Sequence, residues 1–133
     1  MDDEIVVDNA FVTLWYHSDT GILHHQIHKY AYGDTLRKML LAGVDVMKKN
    51  NSCKWLSDDR RYAAISKEDT EWGTAVFIPA ALKAGWRFWA IVLPTSVIGT
   101  MQYNQMAEEL GKLGLKVELF VNINDAMKWL KAQ

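Results

Sequence analysis

Ser57-Asp58-Asp59-Arg60-Arg61 sets two carboxylates and two guanidiniums directly behind a short apolar run, Trp55-Leu56. A carboxylate in a cleft can work as a general base while a guanidinium holds an anion. No neighbouring base-and-nucleophile pair names a reaction, so the run also reads as charges that pair and solvate a loop. Asp69-Thr70-Glu71 and Thr95-Ser96 are the next candidates. Each stands where a helix is expected to begin, and an exposed helix N-terminus beside a free hydroxyl offers unpaired N–H groups to a phosphoryl group or another anion. The plainer reading of Ser66-x-x-Asp69 is ordinary helix capping.

The four histidines raise the question of metal. With a turn at 18–21, Trp15 faces His24 and Phe11 faces His28, which puts His17, His24 and His28 on one sheet face and His25 on the other. His24 and His28 then lie about 13 Å apart along a strand, too far to share an ion. No metal and no cofactor are expected. Cys53 has an apolar setting and reads as a core residue, without a partner for a disulfide. The backbone cradles GxGxxG and GxxxxGK[ST] are missing, as are a GxSxG elbow and the acidic pair of a receiver domain.

The elements that carry these residues follow from pattern. Residues 10–17 and 21–30 flank Ser-Asp-Thr and form a hairpin, with Ile5-Val6-Val7 extending its start. Residues 34–50 repeat apolar side chains at helical spacing, with Asp34 as N-cap and Asn50-Asn51 at the end. Residues 53–57 are a short buried strand. The next helix carries Trp72, Ala75, Val76 and Leu82 on one stripe and is kinked or starts late because Pro79 has no N–H. Residues 86–94 form a central strand. A helix over 97–113 turns Ile98, Met101, Met106, Leu110 and Leu113 inward, "LKVELFV" alternates as a strand, and Asn122 or Asn124 caps a last helix. The order ββαβαβαβα describes an α/β fold with a mostly parallel sheet opened by an N-terminal antiparallel hairpin, in a single domain spanning 1–133.

Composition bounds the function. Of 133 residues, 50% are hydrophobic and six are Trp, enough for a packed core, and the formal charge of −1 is mixed along the chain. No broad field favours nucleic acid, and no transmembrane segment is long enough to span a bilayer. The acidic N-terminus is unlike a secretory signal, so a cytoplasmic location is expected.

The element order, together with "KWLSDDRR…EDTEWG", "AGWRFWAIVLP" and "VELFVNINDAMKWL", resembles the SpoIIAA-like group of STAS-related proteins. The resemblance implies a SpoIIAA-like (STAS) architecture, related to anti-sigma-factor antagonists and to SEC14-type lipid-binding domains. It implies a switch in which a hydroxyl at the start of the helix after the third strand is phosphorylated. Thr70 is the matching position, although Glu71 and Trp72 stand where a small residue and Gly are expected.

Three functions compete. The first is a non-enzymatic STAS-like regulatory module that docks a protein through Ser57, Asp58, Asp59, Arg60, Arg61, Asp69, Thr95 and Ser96. In the same class, the Phe11/Trp15/His24 sheet face could form a homodimer. The second is a domain for a small apolar ligand or lipid, held by Trp55, Trp72, Trp86 and Trp89. A cavity of roughly a few hundred Å³ between helix 70–84 and the sheet would favour it. The third is an enzyme using Asp58 or Asp59 with Arg60 or Arg61.

Overall fold

The computed structural model describes residues 3–133. Its sheet holds six strands in the order β1-β2-β3-β4-β5-β6: β1 Asp3–Asp8, β2 Val12–His17, β3 Ile22–Ile27, β4 Lys54–Asp58, β5 Phe88–Val92 and β6 Lys116–Phe120. The first three strands are antiparallel and β3 through β6 are parallel. The mixed α/β sheet opened by an antiparallel segment is therefore as expected. The segment is a three-stranded meander rather than a hairpin, because Ile5-Val6-Val7 belongs to a separate strand. Asn9 makes that turn, its Oδ1 accepting the Phe11 and Val12 N–H groups at 2.8 and 3.0 Å. The turn after β2 closes with Gly21 at φ 73°, and Trp15 pairs with His24 in the expected register.

Helices connect the parallel strands: α1 Asp34–Asn50, then the run α2 Lys67–Trp72, a π turn Gly73–Phe77 and α3 Ile78–Ala84, then α4 Val97–Gly111. Helix α5, Ile123–Lys131, follows β6. The strands are added in one direction, so crossovers of one hand put all three connecting helical units on one face. The cores agree. Leu36, Met39, Phe77, Ala81, Tyr103 and Leu110 join Trp55, Trp89 and Ile91 on one side, while Ala126 and Leu130 of α5 meet Ile22, Leu56, Ala90 and Val92 on the other.

Local details depart from the sequence reading in instructive ways. Asp34 is the first residue of α1, not its cap. Gly33 holds that place at φ 59°, and its N–H is met by both carboxylate oxygens of Asp69, at 3.2 and 3.1 Å. On α4 the inward face is Gly99, Tyr103 and Leu110, while Ile98, Met101 and Leu113 are exposed. The buried positions step by four and seven, true helical spacing, whereas the step from Met101 to Met106 is five. Pro79 neither delays the helical run nor ends it. The irregularity it imposes is the π turn just before it, where Ile78 N–H bonds back to Gly73 O. That wider turn keeps Asp69, Phe77 and Ala81 facing inward, eight and four residues apart, and leaves Ala75 and Val76 outside.

Among the described residues no helix is long and apolar enough to cross a membrane.

Candidate functional site

Strand alternation sends Trp55 and Ser57 of β4 towards the three-helix face, and Asp59 follows at the strand's end. On β3, His25 shares that face beside Ser57. Helix α4 brings Tyr103 over the same point. The result is a buried chain of four side chains. Trp55 donates its indole N–H to His25 Nδ1 at 3.0 Å, and His25 Nε2 lies 2.7 Å from Asp59 Oδ1. Tyr103 donates its hydroxyl to Asp59 Oδ2.

Because an indole can only donate, Nδ1 is the unprotonated nitrogen and Nε2 carries the proton given to Asp59. His25 is therefore the neutral tautomer, and Asp59 is held by two neutral donors. Burial, followed by the Asp59 charge, pushes the Tyr103 phenol well up, so it remains a donor.

This network forms part of the wall of a cavity of about 590 Å³, lying between the sheet, the α2–π–α3 run and α4. Trp55, Trp86, Trp89 and Phe77 make an aromatic wall, with successive ring centroids 5.1 to 6.3 Å apart. Leu36, Ile65, Leu82 and Met106 add aliphatic surface. The π turn contributes Gly73, Thr74 and Phe77 to the same wall, a placement typical of π turns at working sites. Among the described residues, two buried polar side-chain atoms on the wall have no hydrogen-bond partner: Tyr62 Oη and Trp86 Nε1. Burial, with the Asp59 charge second, raises the Tyr62 phenol far above its ordinary value.

The residues singled out in the sequence are dispersed by the fold. Ser57, Asp58, Asp59 and Asp69 are buried. Ser57 Oγ accepts the Trp89 indole N–H at 2.8 Å. Asp58 points to the opposite sheet face and takes the Arg60 fork at 2.8 and 2.7 Å. Burial works to raise its carboxyl, but the Arg60 hydrogen bonds outweigh that and hold it below the usual range. Asp69 ties the start of α1 to α2, adding Arg37 Nε at 3.1 Å to the Gly33 contact. Ser66 caps α2 in keeping with the Ser66-x-x-Asp69 spacing, its hydroxyl accepting the Asp69 N–H at 3.1 Å. Thr70 is exposed one turn in, its hydroxyl bonded back to Ser66 O at 2.9 Å, and its side chain reaches the cavity rim.

Ser96 caps α4 and donates to Ala63 O, stitching two loops together. Arg60, Arg61 and Thr95 stay exposed. Trp55 and Trp89 line the cavity. Trp72 does not, lying instead under the Arg37 guanidinium at 5.5 Å.

On the far face of the meander, His17 Nδ1 is 2.6 Å from Asp3 and its Nε2 is 3.0 Å from His24 Nδ1. His28 instead meets the Thr13 hydroxyl at 2.6 Å. Among the described residues no group of three or more His, Cys, Asp or Glu side chains is placed to hold a metal ion. Phe11 and Ile5 are exposed on this side, and Trp15 is half-buried.

Tyr62, Tyr103 and the role of His25 were not visible in the chain. The one available hint was His25 falling on the inward face beside Leu14 and Leu23, where a lone polar ring needs partners.

No family model matches the chain, and neither does any curated protein or solved structure.

Proposed function

We propose that this chain is a small-ligand-binding domain whose ligand lies in the cavity between the α2–π–α3 run, α4 and the sheet. The observation that carries the reading is the cavity itself: about 590 Å³, walled largely by aromatic and aliphatic side chains, with a few buried polar groups converging on it. That volume is in the range of sites that enclose drug-sized molecules. The resemblance to the SpoIIAA-like group supports the same reading, since the fold it implies is related to SEC14-type lipid-binding domains.

The interaction-module reading has fewer groups to use, because four of its eight edge residues are buried in internal pairs. What that edge leaves outside is Arg60, Arg61 and Thr95, with Thr70 nearby. An enzyme built on Asp58 with Arg60 is disfavoured by their closed, bidentate pairing on the other sheet face.

Native mass spectrometry of protein isolated without denaturation tests the proposal. A small-molecule adduct that is retained in gentle ionisation and lost on acid unfolding supports it. A bare chain that also fails to bind any apolar probe overturns it.

A further inference from the structure

We propose that the cavity's ligand is an organic cation, a protonated amine on an apolar body, with its ammonium group set against Asp59. This rests on the ligand-binding reading above and names the chemistry of the ligand.

Asp59 is 2% exposed and lines the cavity. Both of its oxygens are engaged, but only by neutral donors: His25, whose second nitrogen is occupied by Trp55, and Tyr103. A buried carboxylate without a countercharge is costly. No lysine or arginine among the described residues lines the cavity, and its other ionisable acids, Asp69 and Glu109, have the same sign as Asp59. Asp69 has its own cation in Arg37, which is outside the lining, and Glu109 is exposed to water, so Asp59 is the buried lining carboxylate left without one.

The walls favour the same class. Trp55, Trp86, Trp89, Phe77 and Tyr103 present π systems to a common space, and cations are attracted to such faces, most strongly when desolvated. Tyr62 completes the set. Its hydroxyl is buried on the cavity wall that it shares with Asp59, without a hydrogen-bond partner among the described residues, and its oxygen can accept an N–H from an ammonium. An anionic amphiphile such as a fatty acid would bring a second negative charge beside Asp59, with no base to receive it.

Three probes of nearly equal shape separate the possibilities: 1-(2-naphthyl)ethylammonium, 2-isopropylnaphthalene and 2-naphthoate, titrated calorimetrically into the unmodified protein at pH 7. The ammonium is expected to bind at least about 10-fold more tightly than the hydrocarbon, and the carboxylate more weakly than either. Asp59→Asn is expected to erase the ammonium preference while leaving hydrocarbon binding in place. Tyr62→Phe, which keeps the ring, is expected to weaken the ammonium about 3- to 10-fold and the hydrocarbon not at all. Equal affinities, or a preference for naphthoate, would overturn the cation assignment while leaving a ligand cavity. Failure of all three probes to bind would overturn both.

Discussion

Trp55 and His25 are joined by an indole N–H directed at Nδ1 at 3.0 Å, deep between α1 and the sheet. That single bond decides the state of two groups. It fixes the His25 tautomer, which fixes Nε2–H as the donor to Asp59, which leaves Asp59 with neutral partners only. Substituting His25 with Leu would strand a buried indole N–H and remove one of the two donors to a buried carboxylate. The expected cost is about 2–5 kcal/mol, read as a lower urea midpoint. In the intact protein, nitrogen NMR should show the Nε2–H tautomer, and an Nδ1–H form would contradict the network.

The position of Trp55 also depends on Gly43. A Cβ built there would lie 2.1 Å from the Trp55 ring, so α1 touches the indole directly. Gly43→Ala raises intrinsic helix propensity yet should destabilise by about 1–3 kcal/mol, since a rigid ring tied to His25 cannot withdraw cheaply. An alanine variant as stable as the parent would show that Trp55 is free to move.

Acid lability is expected from the other sheet face. Burial, followed by the neighbouring His17, lowers the His24 pKa to about 4. A histidine depressed in the fold stays neutral while its unfolded counterpart takes up a proton near 6.5. Its contribution is therefore full above that pH and is lost as pH falls towards 4. The loss should reach at most about 3 kcal/mol. His24→Phe should flatten the stability profile over that window; an unchanged slope would locate the acid sensitivity elsewhere. Asp58, held low by Arg60 against its own burial, gives up its share only at still lower pH.

The π turn makes a further claim about Pro79. Alanine at this position restores an N–H that can bond to Ala75 O, which would draw Gly73–Phe77 towards regular α geometry. Since Gly73, Thr74 and Phe77 line the cavity, Pro79→Ala should alter ligand affinity about 3-fold or more while leaving the unfolding free energy within about 1 kcal/mol. Unaltered affinity would mean that the π turn does not shape the site.

Much of the architecture is legible in the chain because strands and helices announce themselves locally. Trp15 opposite His24, the cap at Asn122 and the strands at Trp55 and Trp89 follow from turn chemistry and periodicity. The strand at Ile5-Val6-Val7 was read as an extension because its separation depends on one asparagine side chain. The inward faces of α4 and of the α2–π–α3 run were misjudged where apolar residues sit outside, as Ile98, Met101 and Val76 do, and where a π turn shifts the count by one. The site was least legible. Charged residues suggested a surface edge, but Asp59 and Asp69 are consumed by partners 34 and 32 or more residues away in the chain. Only the sheet register and α4 bring His25 and Tyr103 to Asp59.

The space beneath the π turn is proposed above as a binding cavity. Calorimetric titration of 1-(2-naphthyl)ethylammonium into the parent protein and into Met106→Trp, which fills the cavity from the α4 side, tests it most directly. Saturable one-to-one binding with a negative heat-capacity change in the parent, lost in a Met106→Trp protein with an unchanged unfolding midpoint, is the predicted result. Equal binding by both proteins, or a parent protein that saturates with neither this ammonium nor 2-isopropylnaphthalene nor 2-naphthoate, would contradict it.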